Sequence, residues 1–235
     1  MIIDDIKNKL FEKSDDPEML KFNRTFDIKA YLNSFNNIDN VLTFIGKEGI
    51  NKHLYILSLS KDDKTISLFD GELITIKIDS SEIFLKKCPL NHANSEIIQK
   101  HFDFTRPVTI GLTNSFGFGD RLGLANAGHI RSLRGYKFKP IFAQQSIREL
   151  TRTNRTAENV IDAAVWAVLQ EGYKDGYGAD ADHLKTKADV DMMVKTGYRT
   201  FTIDPSDHIV NGVENITPVK LSKDVANLPW ETYGF

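Results

Sequence analysis

The chain has 235 residues, with 30 basic and 32 acidic side chains for a formal charge of −2, and 41% apolar residues. That is the balance of a soluble globular protein long enough to bury a real core, and near-neutral charge speaks against sequence-independent nucleic-acid binding, which needs a basic surface. No apolar run approaches the roughly 20 residues that span a bilayer. The start, MIIDDIKNKLFEK, carries Asp4 and Asp5 where a secretory signal needs basic residues. The one cysteine, Cys88, closes no internal disulfide and fits a reducing compartment, so the expected location is the cytoplasm.

In chain order, a poor N-terminal helix precedes a β-rich stretch. VLTFIG (41–46), HLYILSL (53–59), TISLFD (65–70), LITIKID (73–79) and EIFLKK (82–87) are β-branched or aromatic runs separated by turn residues. Their short spacing predicts an antiparallel meander over a mainly β region, residues 1–104. His53 and His92, isolated from other catalytic residue types, read as packing or surface residues. Composition changes near residue 105. Gly46, Gly49 and Gly71 precede it and twelve glycines follow; Arg24 precedes it and eight arginines follow. Glycines permit close ligand approach and guanidinium forks suit anions, which places the functional surface in residues 105–235.

There the rhythm becomes βα. Strands are predicted at PVTIGL (107–112), PIFAQ (140–144), YGADAD (177–182) and YRTFTID (198–204). Thr156 can cap a helix running to about Tyr173, with Val160, Ile161, Ala164, Val165 and Val168 on one face. Thr186 can cap a second helix, which Gly197 can end. Such a series implies a parallel sheet with right-handed crossovers, either a small open α/β sheet or about half of a closed barrel.

Ligands in βα folds bind beyond the carboxyl ends of the strands, and polar residues gather there. The first strand leads into NSFGFGDRLG with Asp120 and Arg121, and the second into Gln144 and Arg148. The third leads into Asp180, Asp182, His183 and Lys185, and the fourth into Asp204, Asp207 and His208. Alternation along a strand would point Asp180 and Asp182 the same way, and two carboxylates with an imidazole can supply acid/base chemistry and a metal ligand. The competing reading is that Asp182 or His183 caps the following helix, and that Asp204 serves the turn at Pro205. GFGDRLG is one residue too long for a dinucleotide fingerprint, and no Walker, H-E-x-x-H or G-x-S-x-G motif occurs. The site reads as metal-assisted and suited to a small polar anion.

SFGFGDRLGLANAGHI, PIFAQQSIRELTRTNRTAENVIDAA and GYGADADHLKT with GYRTFTIDPSDHI resemble the bacterial tagaturonate/fructuronate epimerase family, over about residues 111–211. The resemblance implies an α/β fold class with a partial TIM-like (β/α) barrel over 105–235. It also implies a divalent metal (Zn2+ or similar) and interconversion of two hexulosonates in hexuronate breakdown. At matched positions it implies Asp182 as proton acceptor and His183 as metal ligand. The inverted carbon is β to the ketone, so enolisation cannot scramble it and a retro-aldol route can. On that route Asp120, Arg121, Gln144, Arg148, Asp180, Lys185 and Asp204 would contact a small anionic sugar-acid substrate. Family members are roughly twice as long, which implies a homo-oligomer or a complementary barrel-half chain as partner. A metal-dependent aldolase or sugar isomerase on the same plan, and an inactive sugar-acid-binding fragment, are the alternatives.

Overall fold

A computed structural model describes residues 3–22, 26–78, 81–209 and 211–233. It contains two compact units, Met1–Ile203 and Asp204–Phe235. Among the described residues no helix is long and apolar enough to cross a membrane.

The first unit opens with helix α1 (Ile3–Leu10) and strands β1 (Phe11–Lys13), β2 (Met19–Phe22), β3 (Lys29–Tyr31), β4 (Asn36–Ile38), β5 (Val41–Glu48) and β6 (Asn51–Ser58). A short helix α2 (Lys64–Leu68) leads to β7 (Glu72–Ile78) and β8 (Ser81–Cys88). All pairings are antiparallel, in the order β1-β2-β3-β5-β6-β8-β7 with β4 on β5. The expected antiparallel strands form except over 65–70, where the helix Lys64–Leu68 replaces most of the expected strand. Asp63 is the reason: its carboxylate accepts from the backbone N–H groups of Thr65 (2.8 Å) and Ile66 (3.3 Å), satisfying donors that a helix start leaves open. The order also departs from the expected meander, because β8 pairs with β6 and β7 lies outside it.

Helix α3 (His92–His101) then leads to β9 (Ser115–Gly117), α4 (Asn126–Ser132), β10 (Lys139–Ser146), α5 (Ile147–Thr153), α6 (Ala157–Glu171), β11 (Gly178–Leu184), α7 (Lys187–Thr196) and β12 (Thr200–Ile203). Strands β9 to β12 form a wholly parallel sheet in sequential order. Thr156 and Thr186 cap α6 and α7 in reciprocal boxes with Asn159 and Asp189, and Gly197 ends α7 in a left-handed conformation, as the sequence predicts. The strand expected at 107–112 is absent. Pro107 has no N–H to give and Gly111 turns the backbone to φ +65°. That segment keeps one sheet-like bond, Val108 N–H to the Tyr177 carbonyl at 2.8 Å, and the edge strand forms at Ser115–Gly117.

Helix α6 explains how the two sheets share a core. Its sequence, AENVIDAAVWAVLQE, is apolar on nearly every face, and twelve of its fifteen residues are buried. Val165, Val168 and Leu169 join Phe142, Ala179 and Tyr177 of the parallel layer and Ile45, Leu54 and Ile56 of the antiparallel sheet in one cluster. The other face of the antiparallel sheet closes over Leu10, Phe11, Phe22, Phe44 and Tyr55. The second unit holds α8 (Pro218–Ala226), begun by Thr217, whose hydroxyl accepts from Lys220 N–H at 3.3 Å.

Candidate active site

Strand β11 positions the acidic residues, and its last turn is irregular. Asp180 stands opposite Gln144 on β10 and Thr200 on β12, and Asp182 opposite Ser146. Pairing with β12 runs Ala181 to Phe201 and then jumps to Leu184 with Ile203, so Asp182 and His183 together face one residue, Thr202. This is a β-bulge, and His183 adopts φ +55° within it. Consecutive side chains on a regular strand point to opposite faces. The bulge turns these two toward each other, with His183 Nδ1 2.8 Å from Asp182 Oδ1. Nδ1 engaged by the carboxylate leaves Nε2 as the nitrogen able to meet a ligand. The Asp182 side chain is 22% exposed and that of His183 57%. Helix α7 takes its cap from Thr186, so neither residue serves as that cap.

Asp180 is buried. Thr202 Oγ1 donates to its Oδ1 (3.0 Å) and lies 3.2 Å from Oδ2, to which Gln144 Nε2 also donates at 3.2 Å. Burial pushes its carboxyl above the usual carboxylate range, the charge of Asp182 adds to the rise, and the Thr202 and Gln144 donors oppose it. Three neighbouring strands thus meet at one carboxyl beside the Asp182–His183 pair.

The remaining expected site residues occupy varied positions. Asp120 is buried, and its carboxylate accepts from the N–H groups of Leu124 (3.1 Å), Ala125 (2.8 Å) and Asn126 (3.1 Å) at the start of α4. Arg121 pairs with Glu149 at 2.5 Å. Asp120 and Arg121 border an open depression of about 500 Å³ along residues 119–125. Arg148 and Lys185 are exposed just past the ends of β10 and β11. Asp204 belongs to the second unit, where its carboxylate accepts from Ser206 N–H at 2.9 Å. The His208 side chain lies outside the described residues.

Two residues to which the sequence assigns no individual site role prove structural to this end of the sheet. Thr202 is one; alternation along β12, once registered against β11, would have singled it out. Arg155 is the other. Its guanidinium donates to the carbonyls of Asp120 (3.0 Å), Arg121 (3.1 Å) and Asn159 (3.0 Å) and to Gln145 Oε1 (3.0 Å), tying the 120–123 loop to β10 and α6. A larger cleft of about 770 Å³, bordered by Glu18, Tyr136, Lys139 and Tyr173, lies at the opposite, amino-terminal end of β10.

Among the described residues no three His, Cys, Asp or Glu side chains converge as a metal site. A catalytic metal generally takes about three protein ligands. His183 offers one imidazole, oriented by a carboxylate in the manner of metal-bound histidines. The described residues alone do not hold a metal ion.

A family model described as tagaturonate epimerase matches residues 31–233. The tagaturonate/fructuronate epimerase of Thermotoga maritima is 40% identical over 190 residues, which are 81% of this chain and 38% of that protein. Crystal structures of the fructuronate-tagaturonate epimerase of Cohnella laeviribosi, glycerol-complexed and native, superpose with TM-scores of 0.74 and 0.73 at 35% identity. They cover 88% of this chain and 40% of theirs. The chain therefore spans about two fifths of the length of these relatives.

Proposed function

Since this chain belongs to the tagaturonate epimerase family, we propose that it carries the acid/base part of an enzyme interconverting tagaturonate and fructuronate. The observation that carries the proposal is the bulged Asp182–His183 pair at the carboxyl end of a parallel strand, with buried Asp180 beside it. Sequential order of the four parallel strands, without a reversal, supports the reading as part of a (β/α) barrel; doubly wound sheets reverse at a switch point.

The proposed route is retro-aldol. Asp182 takes the proton from the hydroxyl on the carbon to be inverted. The adjoining carbon–carbon bond breaks, that hydroxyl oxygen becomes the carbonyl oxygen of an aldehyde, and the bonding pair passes into the ketone as an enediolate. Rotation of the aldehyde presents its other face, the bond re-forms, and the proton returns from Asp182. On this reading Asp180, held by Gln144 and Thr202, accepts from a substrate hydroxyl. Arg148 and Lys185 are the exposed cations next to these strand ends and suit the substrate carboxylate. Asp120 and Arg121 act indirectly on this reading, by shaping the loop that Arg155 ties down.

The proposal includes a divalent cation, zinc or similar, with His183 Nε2 as one ligand and the others from outside the described residues. It also includes a partner, a second copy or a polypeptide supplying further strands, because β9 and β12 are sheet edges. The test is an NMR assay of tagaturonate and fructuronate with the chain alone and with the carboxyl-terminal part of the Thermotoga relative, each with zinc or with chelator. Interconversion that chelator abolishes is expected. Accumulation of split products would instead identify an aldolase, and absence of turnover in every mixture contradicts the proposal.

A further inference from the structure

The clamp on Asp180 depends on an uncharged residue two strands away, in β9. Gly117, in β9, stands opposite Ile141 of β10, and its φ lies outside the left-handed region. Its backbone would accept alanine; what it lacks is room. A Cβ built there would lie 2.6 Å from Gln144 Oε1 and 3.3 Å from both Cδ and Nε2. Gln144 therefore folds over bare backbone, and from that position its Nε2 reaches Asp180 at 3.2 Å while Thr202 holds the same carboxyl from β12. A methyl group at 117 meets the far end of a flexible side chain, which swings aside and releases Asp180.

We infer that Gly117 is a positioning residue for the Asp182–His183 pair: its missing side chain lets Gln144 fix Asp180, two residues before Asp182 on the same strand. The catalytic part of this inference rests on the function proposed above; the structural part does not. Loss of about an ångström of placement near reacting groups can cost up to roughly 100-fold in rate.

The test compares Gly117→Ala, Gln144→Ala and the double variant by two readouts. The first is solvent exchange of the Gln144 side-chain amide protons, followed by NMR on the 15N-labelled chain as it stands. The second is kcat and KM in whichever mixture interconverts the sugar acids. Gly117→Ala is expected to speed Gln144 amide exchange about tenfold. It should also lower kcat by about 10- to 100-fold with KM little changed, and add nothing on top of Gln144→Ala. Thr202→Val, which keeps the shape of the side chain and removes its hydroxyl, should reproduce the kcat loss. Gln144 amide protons unchanged by Gly117→Ala overturn the inference, as do kcat losses that multiply in the double variant. If the wild type turns nothing over, the proposed function fails, and the amide measurement still decides the role of Gly117.

Discussion

His183 Nδ1 lies 2.8 Å from the carboxylate of Asp182, its immediate predecessor in the chain. Adjacent strand residues meet in this way because two of them bulge against Thr202 and His183 enters the left-handed region at φ +55°. A non-glycine residue held there stores on the order of 1 kcal/mol of strain, and such strain gathers at functional sites.

That strain inverts the usual order of two substitutions. In a regular strand glycine is less stable than alanine. At position 183 alanine keeps the Cβ that resists a positive φ and glycine does not. His183→Gly is expected to be more stable than His183→Ala by about 1 kcal/mol, read from urea unfolding. Alanine equal to or better than glycine would mean that the bulge carries no strain.

A second expectation concerns the polar link between the layers. Glu171 at the end of α6 is 3% exposed, and Arg131 of α4 grips it with two bonds of 2.9 Å while also reaching Glu18 at 2.8 Å. Arg131 is 38% exposed and only Glu171 is buried, so removing the arginine leaves a buried carboxylate short of a partner. Arg131→Met is expected to cost about 1 to 2 kcal/mol, and Arg131→Met with Glu171→Met to recover at least half of it. A double variant no more stable than the single one would show that Gln170, whose amide donates to Glu171 at 2.8 Å, and Arg134, 3.6 Å from it, suffice to hold the charge.

The pH dependence of stability has a readable contributor in Asp162 of α6, whose side chain is 8% exposed and lies 3.1 Å from His92 Nδ1. Burial raises its carboxyl above the usual range, against the lowering effects of Ser95 and His92. A carboxyl raised on folding binds more protons in the native than in the unfolded state over the window between its two pKa values. Its contribution is full below the unfolded pKa and is lost as pH rises through the folded one. Relative to Asp162→Asn, the wild type is expected to lose stability as pH climbs from about 4 toward neutrality, measured by urea unfolding across that range. A difference that stays flat or grows in favour of the wild type would show that the His92 pairing outweighs burial.

Much of the parallel layer was legible because its signals are local. Thr156 with Asn159 and Thr186 with Asp189 announce two helix starts, Gly197 a stop, and YGADAD a strand. The misplaced elements are those where short apolar runs are ambiguous. Asp63 turned the start of 65–70 into the helix Lys64–Leu68, and Pro107 with Gly111 left the edge position to Ser115–Gly117. Asp180, Asp182 and His183 stood out by type and spacing. The device that joins the last two did not, because a bulge is a mismatch of register between strands and appears in no single strand's pattern. Thr202 escaped for the same reason, and Gly117 stood out only as a glycine of the GFGDRLG loop: each matters through a neighbour on another strand.

The central claim, that Asp182 is the acid/base of a sugar-acid epimerase, is tested most directly by kcat for tagaturonate–fructuronate interconversion in Asp182→Asn. Asparagine keeps the shape and an acceptor for His183 but cannot take a proton. Turnover is expected to fall by about 100- to 10,000-fold, with the unfolding midpoint close to wild type. A variant that turns over at the wild-type rate would contradict the account.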